Sequence, residues 1–272
     1  LACGFSREEA EKAIARLEES GVIEYRKRNN TYDFKNNIGI DLETAISDCI
    51  QKSVKKEDVS SALLDIINEK YVLPKRHNQN FCMTRYYNYR FMTAAQYEML
   101  TDISYLEWEN NPDGAIICIL PEENLDHQKI ALHTSEINSP CLLVCLPKEA
   151  SSCVGEVHRL LAIQKLKKDQ KFIDETPAIY KELEEIEKEC IDDLNRWFRD
   201  QYLSEAEVYD RQGVVHIGSG GINRAVSESC DCAYNQTPRI NHELINRHEV
   251  SSQITKAKNA ILQRMLEDAD IS

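Results

Sequence analysis

The chain begins with a pattern of apolar residues at helical spacing. Residues 6–20 repeat apolar side chains every three or four positions, which predicts an amphipathic helix capped by Ser6 and ended by Gly21. Two short β-prone runs follow at residues 22–26 and 31–35, and the asparagines between them suit a tight hairpin turn. This order is typical of the back half of a winged helix-turn-helix, whose front helix would lie upstream of Leu1. An ordinary helix followed by a hairpin is the alternative.

Two continuously apolar runs predict a small α/β core. Helices are expected first at residues 41–50 and 58–71. The runs at 115–120 and 141–146 are then typical of strands buried on both faces, and the amphipathic helix expected between them, at 122–133, predicts a parallel βαβ unit. No catalytic set follows either strand, so we expect this core to be structural.

The second half of the chain is predicted to be helical. Residues 154–166 and 177–197 carry apolar faces that suit an antiparallel helical hairpin, the second with coiled-coil stepping. Residues 174–210 contain four basic and thirteen acidic residues, which is typical of a solvated face. The final helices, expected at 239–247 and 253–267, form either a second helix-turn-helix or plain helical packing.

These patterns predict a mostly helical α+β fold. It would combine a partial winged helix-turn-helix, a small α/β (βαβ) core, a long helical hairpin and a helical C-terminal part. The predicted boundaries are 1–50 for the partial winged helix, 51–150 for the α/β core, 151–210 for the acidic hairpin arm and 211–272 for the C-terminal region.

The segment 71–97 contains no acidic residue, although 46 of the 272 residues are Asp or Glu. Four cations, Lys75, Arg76, Arg85 and Arg90, alternate there with tyrosines and phenylalanines. One interpretation is a positive, aromatic-lined surface for phosphate backbones or an acidic protein face. The other is a half-buried strand pair whose tyrosines pack on the core.

Composition narrows the class of protein. With 42% hydrophobic and 29% charged residues the chain is a folded protein, and its net charge of −13 repels nucleic acid except at local positive patches. No apolar run approaches the length of a membrane span. The ten cysteines lie largely in core-like runs, so we expect reduced thiols in a cytoplasmic protein. Because the chain opens at Leu1, we expect it to be part of a longer protein.

Most catalytic and cofactor motifs are absent from the sequence. There is no P-loop string and no nucleophile elbow. The glycine-rich stretch 218–221 precedes an expected helix but lacks a nearby lysine, which favours a linker over an anion site. Cys230, Cys232, His242 and His248 have the side chains for zinc, yet their spacing matches no common zinc module, and buried thiols with surface imidazoles are favoured.

Several strings resemble a known family of large prokaryotic ATPases. The strings are Leu17-Glu-Glu-Ser-Gly-Val-Ile-Glu-Tyr-Arg26, Thr31-Tyr-Asp-Phe34, Cys141-Leu-Leu-Val-Cys-Leu-Pro-Lys148, Thr176-Pro-Ala-Ile-Tyr-Lys-Glu-Leu183 and Thr237-Pro-Arg-Ile-Asn-His-Glu-Leu-Ile-Asn-Arg247. They resemble the winged helix and the following region of the ATPases of BREX and Pgl phage-defence systems. The resemblance implies a multidomain P-loop ATPase that couples nucleotide binding to DNA transactions or complex assembly. ATP and Mg²⁺ would bind only upstream, and no cofactor is expected in this chain.

The sequence therefore predicts a non-catalytic DNA-contacting or assembly module of such an ATPase. Expected partners are double-stranded DNA, other defence-complex proteins and a second copy joined through the helical arm. The candidate DNA-binding residues are Arg7, Arg16, Arg26, Lys27, Arg28, Lys75, Arg76, Arg85 and Arg90. The alternative is a protein-interaction scaffold that binds no nucleic acid, and a free-standing enzyme is a third hypothesis.

Overall fold

A computed structural model gives the fold. It describes residues 6–20, 22–26, 31–34, 42–54, 58–108, 110–175, 178–204, 206–213, 215–216, 220–237 and 251–269. The helices are α1 (Arg7–Glu19), α2 (Leu42–Cys49), α3 (Val59–Ile66), α4 (Lys75–Phe81), α5 (Ala94–Glu98), α6 (His127–Ile137), α7 (Val154–Lys168), α8 (Gln170–Glu175), α9 (Ala178–Phe198), α10 (Gly221–Ala233) and α11 (Ser252–Ala269). The strands are β1 (Ile23–Arg26), β2 (Thr31–Phe34), β3 (Tyr71–Val72), β4 (Tyr87–Met92), β5 (Gly114–Ile119), β6 (Leu142–Leu146), β7 (Glu207–Tyr209) and β8 (Val215–His216). The mostly helical α+β class is confirmed.

Six of the strands form one mixed sheet in the order β3-β4-β5-β6-β7-β8. Its central strands β4, β5 and β6 are parallel, and the outer strands β3, β7 and β8 pair antiparallel. Strands β5 and β6 are buried at every position, which matches their unbroken apolar sequence. Helix α6 connects them, so the predicted βαβ unit is confirmed.

Strand β4 settles the structure of much of the acid-free segment. Its residues alternate between buried and half-buried positions, and Tyr87, Tyr89 and Phe91 are at most 3% exposed. This period of two is that of a strand with one face on the core. The interpretation as a strand with core-packed tyrosines therefore holds for residues 87–92, while Lys75 and Arg76 lie instead on the short helix α4.

Glycine is required at position 114, where β5 begins. A Cβ atom there would lie 2.6 Å from the carbonyl oxygen of Cys141 and closer still to the ring of Tyr87. The buried tyrosine can therefore pack directly against the β5 backbone only because residue 114 has no side chain.

Contacts divide the chain into two compact units rather than the four predicted segments. One unit contains residues 1–59 and 153–194, and the other contains residues 60–152 and 195–272. Most of the predicted arm thus belongs with the N-terminal residues, whereas residues 195–210 and the C-terminal region belong with the sheet. Sequence patterns locate turns, but they do not show which distant helices share a core.

The first unit has a core of three helices. Ile46 of α2 and Val54 beyond it are buried among Ala162, Ile163 and Leu166 of α7 and the apolar seam of α9. The predicted helical hairpin is thus present, but α2 covers it. The seam residues Ile179, Leu183 and Ile186 are at most 9% exposed inside this unit. They are therefore not free to join two copies through the arm.

The N-terminal helix and hairpin occur where the sequence predicts them. The Ser6 hydroxyl accepts from the Glu9 amide, and the Glu9 carboxylate accepts from the Ser6 amide, which forms a capping box for α1. Strands β1 and β2 pair antiparallel, with the Tyr25 and Tyr32 rings 5.1 Å apart. No residue of α1 is buried, and Leu17 is 41% exposed. The winged-helix interpretation of these elements stays a prediction.

The remaining predicted elements shift in extent. The helix expected at 58–71 ends at Ile66, and the one expected at 122–133 begins at His127. The helix expected at 239–247 lies outside the described residues, whereas α11 is present. Among the described helices, none is both long and apolar enough to cross a lipid bilayer.

Candidate functional site

The cations of the acid-free segment are dispersed over three elements. Lys75 and Arg76 begin α4, Arg85 precedes β4 and Arg90 lies within β4. Both residues on α4 are exposed, whereas Arg85 and Arg90 are half-buried. The four side chains therefore do not form one continuous positive surface.

Arg76 is part of a contact between α4 and α10. Its guanidinium lies 2.6 Å from a carboxylate oxygen of Asp231, whose other oxygen is 2.7 Å from Nδ1 of His77. The His77 ring is fully buried and stacks on Phe81 at 4.5 Å. Arg76 thus neutralises an acidic residue from a distant helix, which leaves little charge for a phosphate.

Arg85 is bound on two sides. Its guanidinium donates to Oδ1 of Asp113 at 2.6 Å, and its carbon Cζ lies 3.4 Å from the centre of the Tyr234 ring. The other carboxylate oxygen of Asp113 accepts from the Tyr86 amide at 3.0 Å. The Arg85 and Asp113 side chains are 15% and 19% exposed. Arg85 is therefore an internal structural cation, and its proposed role in DNA binding has no support in this geometry.

Arg90 faces an open groove of about 870 Å³ in the sheet unit. We call this the Trp108 groove. Its walls come from the end of α3, the edge strand β3, the half-buried face of β4 and residues 107, 108 and 110. The lining side chains used below are Asp65, Lys70, Tyr71, Tyr86, Asn88, Arg90, Glu107 and Trp108. Asn88 and Arg90 are two residues apart, so the same face of β4 carries both.

Aromatic rings occupy two positions in the groove. Tyr71 and Tyr86 meet edge to face with ring centres 6.1 Å apart, and the Tyr86 hydroxyl donates to the carbonyl oxygen of Asn110 at 3.0 Å. The Arg90 guanidinium lies 5.6 Å from the Trp108 ring. Tyr71 is 57% exposed, so its ring is available to a ligand. Such amphipathic rings offer contact area at low entropic cost.

The charges in the groove balance. Two cations, Lys70 and Arg90, and two anions, Asp65 and Glu107, line the groove. Lys70 also donates to the carbonyl oxygens of Leu64 and Asp65, the second at 3.0 Å, and so caps the end of α3. Burial lowers the pKa of the Lys70 ammonium, and the nearby Asp65 carboxylate partly offsets that effect. The groove is thus polar and aromatic but formally neutral.

Among the residues that the structure describes, the predicted cations of the N-terminal helix and hairpin do not form a positive patch. Arg7 pairs with Glu11 at 2.8 Å, and Arg16 lies nine residues further along α1, which places it on the opposite face of the helix. Helix α1 carries more acidic than basic residues. Arg26 lies in β1, while Lys27 and Arg28 lie outside the described residues, so their contact with DNA stays a prediction.

The candidate cofactor chemistry has no counterpart among the described residues. They contain no cluster of three His, Cys, Asp or Glu side chains that could hold a metal ion. Cys230 is buried and Cys232 exposed on the same helix, while His242 and His248 lie outside the described part of the chain. Gly220 precedes α10 with φ +91°, and residues 217–219 are not described. The nine described cysteines are free thiols.

The sequence identified part of the groove. The acid-free segment 71–97 contains Tyr71, Tyr86, Asn88 and Arg90 of the groove, and Arg90 is one of its four predicted cations. Trp108, Lys70, Asp65 and Glu107 were missed because they lie outside that segment. The chain has only two tryptophans, and Trp108 lies in an otherwise polar stretch. That combination is a signal that could have drawn attention to it.

No protein-family model matches the chain, and neither a curated protein nor a solved structure matches it. The resemblance to the phage-defence ATPases therefore stays a prediction.

Proposed function

We propose that the chain is a non-catalytic assembly module that holds an extended peptide segment of a partner protein in the Trp108 groove. The observation that carries this proposal is the lining itself. Tyr71, Tyr86, Trp108 and Arg90 belong to the three residue types that dominate the energetics of protein interfaces. A half-exposed tyrosine provides apolar contact, Arg90 beside the Trp108 ring provides a bidentate donor, and β3 is the edge strand of the sheet, the kind of element to which an extended chain can add.

The balance of charge favours a peptide over nucleic acid. A polyanion is attracted by an excess of Lys and Arg, whereas this groove has two cations and two anions. Two of the four predicted cations of the acid-free segment, Arg76 and Arg85, are neutralised by Asp231 and Asp113. The net charge of −13 adds a repulsive field. A peptide with groups of both signs has no such penalty.

The wider context rests on the resemblance alone. We propose that the module works within a large P-loop ATPase of a phage-defence complex, in the cytoplasm, where it joins the ATPase to another subunit. The parent gene tests this proposal, since a Walker A string upstream of residue 1 is expected. A parent protein without a nucleotide-binding motif would overturn the ATPase part and leave the groove unaffected.

Tryptophan fluorescence tests the groove directly. The chain has two tryptophans, and only Trp108 lines the groove. The variant Trp197→Phe therefore leaves a single reporter at the site. The probes are synthetic peptides enriched by panning this protein against a random phage-displayed library, and single-stranded and duplex DNA oligonucleotides at low salt. We expect peptides, not oligonucleotides, to shift the Trp108 emission saturably.

Matched variants locate the binding. Arg90→Ala in the single-tryptophan background should weaken peptide binding about tenfold or more, as expected when an interfacial arginine anchor is removed. Tyr105→Ala is the control, because Tyr105 is 74% exposed and does not line the groove. If no enriched peptide shifts the emission, or if Arg90→Ala and Tyr105→Ala act alike, the peptide site is refuted. Saturable oligonucleotide binding that Arg90→Ala abolishes would establish a nucleic-acid groove instead.

A second DNA-binding measurement tests the N-terminal hairpin. The triple variant Arg26→Ala, Lys27→Ala and Arg28→Ala removes its cations. Duplex binding by the unaltered chain that this variant reduces, with the slope of log K against log salt lowered by about two or three, would restore the DNA-contacting function.

A further inference from the structure

A second cavity borders the edge strand β3. Its volume is about 310 Å³, and we call it the Val72 pocket. Tyr71 and Leu73 line this pocket and also the Trp108 groove, so the two cavities meet along β3. The other lining side chains used below are Val72, Leu203, Ile222 and Asn223, and Glu69 and Lys75 contribute one charge of each sign.

The two cavities lie on opposite faces of the sheet. Tyr71 pairs with Asn88, which lines the Trp108 groove, whereas Val72 pairs with the fully buried Tyr87. Directly paired residues share a face of the sheet, and successive residues of a strand alternate between its faces. The Val72 side chain therefore leaves β3 on the face opposite to the Trp108 groove, and the strand separates the two cavities.

The backbone of β3 is oriented to accept a further strand. The Tyr89 amide donates to the carbonyl oxygen of Lys70 at 3.5 Å, so these two residues form a hydrogen-bonded pair of the ladder between β3 and β4. Such pairs alternate with non-hydrogen-bonded pairs in an antiparallel ladder, which makes Tyr71 and Asn88 a non-hydrogen-bonded pair. The N–H and C=O groups of Tyr71 therefore point away from β4. Because β3 is the last strand at this end of the sheet, these groups point to the edge between the two cavities.

We propose that the peptide segment in the Trp108 groove binds as an added strand along β3, with consecutive side chains entering the Trp108 groove and the Val72 pocket in turn. This inference rests on the proposed function and specifies which partner segments the chain binds. Backbone hydrogen bonds to Tyr71 supply affinity that does not depend on the peptide sequence, and the two cavities select the side chains.

The two cavities select different side chains. Within the described residues the Arg90 guanidinium contacts the Trp108 ring and forms no ion pair, so it is available to a peptide carboxylate. Val72, Leu203 and Ile222 give the other cavity an apolar lining, and its two charged residues are of opposite sign, so an apolar side chain fits there. Because side chains alternate along a strand, an acidic and an apolar residue at neighbouring positions, or three apart, reach both cavities, whereas a spacing of two does not.

N-methylation of the peptide tests strand addition. The probes are the peptides enriched by panning, and the Trp108 emission of the Trp197→Phe chain measures their binding. We expect their aligned sequences to carry Asp or Glu at an odd distance from an apolar residue. The tightest peptide is then N-methylated at one backbone amide at a time. Methylation of an amide that donates to β3 should weaken binding about tenfold or more, because it removes the donor. The amides on either side of it point away from β3 and serve as the internal control, so their methylation should have little effect.

Filling the Val72 pocket tests the second cavity. Asn223→Phe places a large ring in the lining of the pocket, so it should weaken binding of the same peptide about tenfold by excluding its apolar side chain. Arg224→Phe is the matched control, because Arg224 is the next exposed residue of α10 and lines neither cavity. Circular dichroism of both variants verifies that the fold is retained.

The outcomes separate this inference from the proposed function. Binding that depends on Arg90 but shows no alternation of the N-methylation losses overturns strand addition and leaves the peptide groove in place. Equal effects of Asn223→Phe and Arg224→Phe do the same. Panning that yields no peptide able to shift the Trp108 emission overturns the proposed function and this inference with it.

Discussion

Replacing Arg85 by alanine distinguishes a structural arginine from a ligand-binding one. Arg85 and Arg90 lie five residues apart and are both candidate phosphate contacts from the sequence. In the structure Arg85 is held between Asp113 and the Tyr234 ring, while Arg90 lines an open groove. Arg85→Ala should therefore reduce stability, whereas Arg90→Ala should reduce binding.

The magnitude follows from the burial of the ion pair. Removing one partner of a buried pair costs about 3–5 kcal/mol, because the other charge remains without compensation. The side chains of Arg85 and Asp113 retain 15% and 19% exposure, and Asp113 keeps its bond from the Tyr86 amide. Both features favour the lower end of the range, so we expect a loss of about 3 kcal/mol. Arg90→Ala removes a contact with the Trp108 ring, worth roughly 0.5–2 kcal/mol at this half-buried position.

Urea unfolding followed by tryptophan fluorescence measures the difference. Both tryptophans, Trp108 and Trp197, belong to the sheet unit, so their emission reports the unit that contains Arg85. The double variant Arg85→Ala with Asp113→Ala completes a double-mutant cycle with the two single variants. Its loss of stability should be smaller than the sum of the two single losses, because neither charge is left buried without its partner.

The result that refutes the reasoning is specific. If Arg85→Ala costs less than about 1 kcal/mol, or no more than Arg90→Ala, the Asp113 carboxylate is not desolvated as the geometry implies. Loss of ligand binding by Arg85→Ala with unchanged stability would return Arg85 to the set of binding residues.

Three further results are expected. Leu183→Ala should cost about 2–5 kcal/mol in the helical unit, measured by circular dichroism in urea, because the side chain is fully buried; a smaller loss would mean that the seam is accessible to water. Iodoacetamide should modify exposed Cys232 well before Cys230, because burial raises the pKa of the Cys230 thiol to about 12. Peptide mass spectrometry measures the two rates, and equal rates would show that Cys230 is not buried. The hydroxyl of Tyr209 and, to a lesser extent, the His127 ring lower the pKa of Glu207 in the folded protein. The ionised carboxylate therefore stabilises the fold at pH values above the pKa of Glu207 in the unfolded chain. This stability is lost as the pH falls through the pKa of Glu207 in the folded protein. Tyr209→Phe should therefore be less stable than the wild type near neutral pH, by a margin that narrows below about pH 4; a constant margin in urea titrations would contradict the assignment.

The local sequence pattern was sufficient to predict an element wherever a residue's structure depends on its neighbours in the sequence. The unbroken apolar runs of β5 and β6 predicted buried parallel strands, because burial on both faces excludes polar residues from every position. The capping position of Ser6 and the apolar seam of α9 were likewise readable, since helix period and cap chemistry act over a few residues.

The environment of each charged residue depended on contacts far apart in the chain. Arg85 is neutralised by Asp113, 28 residues away, and Arg76 by Asp231, 155 residues away. Helix α2 likewise packs on α7 and α9, over a hundred residues further along the chain. The absence of acidic residues from 71–97 correctly indicated an unusual segment, but which cations stayed free was decided by chain folding. An ion pair forms wherever the packing of apolar faces brings opposite charges together. The distance between two charged residues that lie far apart in the sequence is therefore not readable from a local sequence pattern. The sequence alone therefore predicted the class of fold and the elements with a strong local pattern, such as α1, β5 and β6, while the tertiary structure decided that Arg90, and not Arg85, faces the groove.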